Sequence, residues 1–228
     1  MRIIWLRPGT ANGFQCENCL RDHQLLDVFS KAGHSVRSLP VYLPLVEQER
    51  SLAYYGAVRM WLGTVWPLLQ KLPNSINALL DHPWLLSRVA RLAKASDPSK
   101  GATMTLATLS GHYDPRLDAE LFDAIDGIGE TPEAILISTP LLAHQGRGVH
   151  DCFNVPWYSL IGGEDHWVEQ LSGGIKERVW ELMRTESESC TAFITCGQTP
   201  DPRLIEELHL NTRRCVNVFP GINKALIS

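Results

Sequence analysis

The chain has 228 residues, of which 44% are hydrophobic and 20% are charged, and its formal net charge is -4 at pH 7. This size and composition suffice for the core of one large domain or two small ones. The acidic balance and the lack of a Lys/Arg run argue against a nucleic-acid partner, because phosphate-backbone binding needs clustered cations. The N-terminus does not resemble a signal peptide and no apolar stretch reaches membrane-spanning length, so we expect a soluble cytoplasmic protein.

Six cysteines are too few for a disulfide framework in a chain of this size, so we expect reduced thiols. Cys16 and Cys19 have the C-x-x-C spacing, but a structural zinc needs two more ligands and the sequence offers no second ligand pair. We therefore expect no metal. A redox role has one argument, since a cysteine at a helix N-terminus has a lowered pKa. We favour a structural role in shaping the loop.

The first forty residues predict a strand, a helix and a second strand. The apolar run Arg2 to Leu6 ends at a proline and a glycine, which is typical of a buried strand. Apolar residues then recur at helical spacing between Asn18, a candidate N-cap, and Gly33, a candidate C-terminal stop. Ser35 to Pro40 forms the next predicted strand. This βαβ unit predicts a parallel sheet.

Helical periodicity dominates from Tyr54 to about Gly129, and strands return afterwards, separated by segments with helical features. The four later predicted strands are Glu133 to Thr139, Pro156 to Gly162, Thr191 to Cys196 and Cys215 to Gly221. We therefore predict that residues 1-228 form a single α/β domain, a Rossmann-like doubly wound parallel sheet with a helical insertion at about 54-129.

Within the insertion, the stretch VRMWLGTVWPLL places Trp61, Val65 and Trp66 on one broad apolar helical face. Such a face could lie on a membrane surface, but interfacial helices usually carry Lys and Arg on the opposite face, and this one does not. We favour packing over the sheet or a cleft, with membrane contact as the minority interpretation.

Ligands of doubly wound sheets bind where strand C-termini meet helix N-termini. The first such loop holds Gly9 and Gly13, and the helix N-terminus after them favours a phosphate or carboxylate. The spacing is not G-x-G-x-x-G, so the dinucleotide fingerprint is missing. A glycine-bearing turn without a ligand explains the loop equally well.

The segment GGEDHW follows the second of the later strands and is the most polar cluster at a predicted strand end. Glu164, Asp165 and His166 suit hydrogen bonding to hydroxyl groups or general acid-base catalysis. The alternative is a solvated loop with a helix-capping aspartate. The position at the carboxyl edge of the sheet favours a functional role.

Six segments fall in one order along the chain: MRIIWLRPGTANGFQCENCLRD, KAGHSV, YLPL, IGGEDHW, AFITCGQTPD and VNVFPGIN. This order resembles the N-terminal domain of GT-B-fold glycosyltransferases of the family-4 type, most closely bacterial members with a C-x-x-C-L-R-D segment in the first loop. The resemblance covers the whole chain and is loosest in the helical insertion. It implies a two-domain enzyme whose first domain binds the glycosyl acceptor and whose second binds the nucleotide-sugar donor.

The resemblance also implies roles for individual residues. The loop from Gly9 to Gly13 would lie beside the sugar-phosphate end of the donor. Gly163 and Glu164 would line the substrate site, and Asp165 and His166, the candidate catalytic residues, would contact sugar hydroxyls. Retaining transfer of this kind requires neither a metal nor another cofactor, because the departing diphosphate helps to deprotonate the acceptor and is stabilised electrostatically.

Pro220 to Asn223 resembles the hinge between the two domains of such enzymes, and only Lys224 to Ser228 follow. We therefore expect the C-terminal donor-binding domain to be absent from this chain. The sequence predicts the acceptor-binding domain of a retaining hexosyltransferase that is inactive alone. The alternative is a stand-alone α/β module that binds a sugar or a small anion without catalysis.

Overall fold

The computed structural model describes residues 1-8, 17-41, 98-112, 116-196 and 202-218. These residues form a six-stranded sheet in the order β2-β1-β3-β4-β5-β6, and every neighbouring pair of strands is parallel. The strands are β1 (Arg2–Arg7), β2 (Ser35–Pro40), β3 (Ala134–Ile137), β4 (Trp157–Ile161), β5 (Ala192–Thr195) and β6 (Cys215–Asn217). The α/β fold with a parallel sheet is confirmed.

Seven α-helices connect the strands in the described part of the chain. They are α1 (Glu17–Lys31), α2 (Pro98–Leu109), α3 (Arg116–Asp126), α4 (Ala143–Phe153), α5 (Glu164–Val168), α6 (Gly173–Glu186) and α7 (Pro202–Glu207). Short 3-10 helices at Pro140–Leu142 and Thr212–Arg214 precede α4 and β6. None of the described helices is long and apolar enough to cross a membrane.

Strand β1 is central because it pairs with β2 on one side and β3 on the other. Its apolar side chains alternate between the two faces, with Ile4 and Leu6 in one core and Ile3 and Trp5 in the other. Burial on both faces explains why this strand is a continuous apolar run in the sequence. The strand order reverses between β1 and β3, and such a switch point opens a crevice at the carboxyl edge.

The helices cover both faces of the sheet, as a doubly wound fold requires. Helix α1 packs Leu25, Leu26 and Phe29 on the face that carries Trp5. Side chains of α3, α4 and α6 fill the larger core on the opposite face, around the fully buried Trp157. Helix α1 is therefore the element that approaches the crevice from the Trp5 face.

The ends of α1 test two predicted signals. Gly33 has φ +82°, its N–H donates to the Ser30 carbonyl at 3.1 Å, and the N–H of His34 donates to the Phe29 carbonyl at 3.0 Å. This is a Schellman C-cap, so the predicted stop at Gly33 is confirmed. The predicted N-cap at Asn18 is wrong, because the helix already begins at Glu17.

Two helices, α2 and α3, lie within the predicted insertion. Helix α3 buries Leu117, Leu121 and Ile125 at helical spacing, which is the signal that predicted it. The remainder of the insertion, including Trp61 and Trp66, lies outside the described residues. The strands β3, β4 and β5 are each shorter than the apolar runs that predicted them, by one or two residues at either end.

A charged cluster joins three of the helices on the larger core face. His144 of α4 lies between two carboxylates, with Nε2 at 3.6 Å from Asp118 Oδ2 and Nδ1 at 3.3 Å from Glu186 Oε2. Arg147 adds an ion pair to Glu186 at 3.2 Å. Burial alone would lower the pKa of His144, but the two carboxylates outweigh it and raise the pKa above its ordinary value.

The first prediction concerns the pH dependence of this cluster. Because the folded pKa of His144 lies above its unfolded value, its stabilisation is fully present below about pH 6.5 and is lost as pH rises through the folded pKa. Chemical denaturation of the wild type and H144Q should therefore show a larger difference in unfolding free energy at about pH 5.5 than at pH 9. An equal or larger difference at pH 9 contradicts the arrangement.

The second prediction concerns the contact between α4 and the sheet. A Cβ at Gly146 would lie 2.9 Å from Trp157 Cε3 and 3.1 Å from Ile137 Cγ2, and both side chains are fully buried. G146A should lower the free energy of unfolding by about 1-3 kcal/mol through overpacking. The control G174A, where a Cβ meets no atom within 4 Å, should leave stability unchanged or slightly raised. Equal effects would contradict the packing.

Candidate functional site

The candidate site lies at the carboxyl edge of the sheet, beside the switch point between β1 and β3. Of the residues predicted from sequence, Gly9 and Gly13 lie outside the described residues, so their role stays a prediction. Gly163, Glu164, Asp165 and His166 follow directly after β4. The structure therefore places this predicted cluster at the edge where ligands of such sheets bind.

The β4–α5 connection is a tight turn followed by a short helix, and not the loop that the sequence suggested. Gly163 is the N-cap of α5 with φ +83°, a backbone conformation that favours glycine. The N–H of Gly162 donates to Glu164 Oε2 at 2.6 Å, which closes the turn. The alternative of a capping aspartate is wrong, because the N-cap is glycine and has no side-chain cap bond.

Glu164 is a buried acid, only 3% exposed. Burial raises the pKa of its carboxyl above the ordinary value, against the opposing effects of the Gly162 N–H, the Thr139 hydroxyl and the Arg21 guanidinium. Its Oε1 is buried and has no hydrogen-bond partner. Glu164 therefore shapes the turn from within, and its side chain is not on the open surface of the edge.

Asp165 and His166 form a pair in which the acid is buried and the base is exposed. His166 Nδ1 lies 2.8 Å from Asp165 Oδ2, and the side chains are 83% and 6% exposed. A buried carboxylate that accepts the Nδ1 proton orients the ring and leaves Nε2 free to accept a hydrogen bond. This arrangement can hold a ligand hydroxyl or receive its proton.

An ion triad of low exposure lies at the carboxyl end of β1. Asp22 of α1 pairs with Arg7, the last residue of β1, at 3.5 Å and with Arg21 at 2.9 Å. Asp22 is 1% exposed and Arg7 is 6% exposed. The triad fixes the first turns of α1 to the end of the central strand.

Arg21 extends the triad to the neighbouring strands. Its Nη2 donates to the Ser138 carbonyl just after β3 at 2.7 Å, and its Nη1 lies 4.0 Å from the position of a Cβ at Gly162. The Ser138 hydroxyl accepts a hydrogen bond from Trp5 Nε1 at 2.9 Å. A single guanidinium therefore lies among the ends of β1, β3 and β4.

The thiols in the described part of the chain do not indicate thiol chemistry. Cys196, after β5, lies near Arg21 and Asp22, but burial raises the pKa of its thiol, and burial also raises the pKa of Cys190 to about 12. Cys16 lies outside the described residues and only the backbone of Cys19 is described, so their role stays a prediction. The described ranges contain no group of three potential metal ligands.

Sequence reasoning missed Arg7, Arg21 and Asp22. One signal was present, since Arg7 directly follows the apolar, buried run from Ile3 to Leu6. A cation at such a position needs a buried anionic partner, and the first helix supplies the nearest acids along the chain. The pairing itself depends on where α1 lies, which the sequence pattern does not specify.

Comparison with known proteins gave no match, either among protein-family models or among curated protein sequences. A function for this chain therefore has to be argued from the site itself and from the motif order in the sequence.

The third prediction tests the burial of Glu164. Because its folded pKa is raised, the wild type should lose stability relative to E164Q as pH rises from about 4.5 to 8, with Gln keeping an acceptor for the Gly162 N–H. Glu133 is the matched control of opposite sign, since its hydrogen bond from the Arg2 N–H lowers the pKa of an exposed carboxyl. For Glu133 the pH window lies lower, because a lowered folded pKa gives stability that is lost as pH falls below about 4.5. The wild type should lose stability relative to E133Q as pH falls through that window, so the two differences should change with pH in opposite directions, and a change in the same direction contradicts the account.

Proposed function

We propose that this chain is the acceptor-binding domain of a retaining glycosyltransferase that uses a nucleotide-sugar donor. The observation that carries the proposal is the Asp165–His166 pair, an exposed imidazole oriented by a buried carboxylate at the carboxyl edge of β4. Such a pair suits a ligand whose recognition depends on hydroxyl groups. The order of the six sequence segments supports the glycosyltransferase assignment.

The surroundings of the pair also support a small polar ligand. The exposed Gly162 and Gly163 lie next to it and bring no side chains to that surface. Arg21 Nη1 lies 4.0 Å from the position of a Cβ at Gly162, in the same turn. In this proposal His166 holds an acceptor hydroxyl, Glu164 and Gly163 fix the turn, and a separate donor-binding domain supplies the nucleotide sugar. In this proposal the residues 1-228 bind the acceptor.

The second candidate is a stand-alone module that binds a sugar or a small anion without catalysis. The buried guanidinium of Arg21 at the crevice favours the anion version of this candidate. Ligand preference separates the two candidates. A self-sufficient binder should bind its ligand, including a nucleotide sugar, with saturable affinity, whereas an acceptor half-site should respond to glycosides and show no saturable affinity for the donor.

The fourth prediction is that methyl hexopyranosides bind weakly but saturably in a titration followed by calorimetry or NMR, whereas nucleotide sugars do not saturate. H166A should raise the dissociation constant of the bound glycoside about three- to tenfold, which corresponds to the net free energy of one hydrogen bond. H34A is the matched control, because His34 precedes β2 at the opposite edge of the sheet. Binding that is absent for every glycoside, or equal in H166A and the wild type, would contradict the proposal.

A further inference from the structure

The ion triad at the crevice carries more positive than negative charge. Two guanidiniums, Arg7 and Arg21, share the single carboxylate of Asp22, at 3.5 Å and 2.9 Å. Their side chains are only 7% and 12% exposed. Among the described residues, one cation of this buried group is therefore left without a full partner. An uncompensated buried charge is costly, so a further anion close to the triad would stabilise it.

The other buried acids of the edge compensate this charge poorly. No described ion pair includes Glu164, and its Oε1 has no hydrogen-bond partner among the described residues. Asp165, the second buried acid, is engaged by His166 at 2.8 Å. The described part of the chain therefore leaves room for an anion supplied by a ligand.

Among the described residues, Nη1 of Arg21 makes no hydrogen bond, whereas Nε and Nη2 do. Its Nε and Nη2 donate to Asp22 Oδ1 at 3.1 Å and 2.9 Å, and Nη2 also donates to the Ser138 carbonyl at 2.7 Å. These bonds fix the plane of the guanidinium, and Nη1 lies 4.0 Å from the position that a Cβ at Gly162 would occupy, so Gly162 itself presents no side chain to it. A guanidinium held in this way loses little entropy when it binds an oxyanion.

We propose that Arg21 is a phosphate-binding residue, whose Nη1 binds an oxyanion of a phosphorylated ligand at the junction of α1, β3 and β4. The phosphate is that of a sugar phosphate on the acceptor side. The glycosyl part of such a ligand rests on the proposed function, whereas binding of the phosphate does not.

Isothermal titration of the whole chain at low ionic strength tests the proposal with three probes: inorganic phosphate, a hexose 1-phosphate and a nucleoside diphosphate. We expect saturable binding of inorganic phosphate that weakens with added salt, because the contact is between charges. Hexose 1-phosphate that binds more tightly than inorganic phosphate identifies a sugar phosphate as the ligand, whereas a nucleoside diphosphate that binds more tightly than the hexose 1-phosphate contradicts that assignment.

Two variants and one control assign the binding to Arg21. R21Q removes the charge and should weaken phosphate binding at least about tenfold. G162L leaves every charge in place and should weaken binding similarly, because its side chain starts 4.0 Å from Nη1 and covers it. Gly162 has no positive φ, so this variant should fold even if R21Q does not. The control R178Q removes an exposed arginine from α6 and should bind like the wild type.

Phosphate that fails to bind the wild type at about 10 mM, or that binds folded G162L as well as the wild type, overturns the proposal. The phosphate titration and the test of the proposed function can fail independently, because the latter uses uncharged methyl glycosides as its probe. Glycoside binding without phosphate binding supports the proposed acceptor domain and contradicts the role of Arg21. Phosphate binding without glycoside binding supports the role of Arg21 and contradicts the proposed acceptor domain.

Discussion

The rest of the site depends on the buried ion triad between Arg7, Asp22 and Arg21. It joins the end of the central strand to the first turns of α1, and through the Ser138 carbonyl it reaches β3. Removal of Asp22 would leave two guanidiniums without their partner, and breaking a buried pair in this way typically costs about 3-5 kcal/mol. The position of α1 over the switch point is thus specified by charge as well as by the apolar contacts of Leu26 and Phe29.

The polar groups at this edge divide into two kinds. Asp22, Glu164 and Asp165 are buried and hold other groups in place, respectively the two guanidiniums, the Gly162 turn and the imidazole of His166. Among the described residues of this edge, the His166 ring and Nη1 of Arg21 are available to a ligand. Buried acids that orient an exposed base and a partly exposed cation form a preorganised surface. Such a surface lowers the entropy cost of binding a small polar ligand.

The sequence predicted much of the fold because the relevant signals are local. Apolar runs predicted the strands, and the glycine at position 33 ended α1 where the left-handed conformation requires it. The N-cap at Asn18 was wrong because several polar residues in that stretch are compatible with a helix start. The position of the cluster from Gly163 to His166 was predicted from the strand that precedes it. Which of its side chains are buried and which are exposed was not predicted. Whether Glu164 or His166 faces solvent depends on a five-residue helix and on the packing around it.

The central claim is that ligands bind at the carboxyl edge between α1, β3 and β4. The most direct measurement is a map of backbone amide chemical-shift changes in isotope-labelled protein, titrated with a hexose 1-phosphate. The account predicts that the largest changes cluster at Arg21, Ser138 and the turn from Gly162 to His166. Changes confined to the opposite edge, near His34 and Glu133, or an absence of saturable changes, would contradict it.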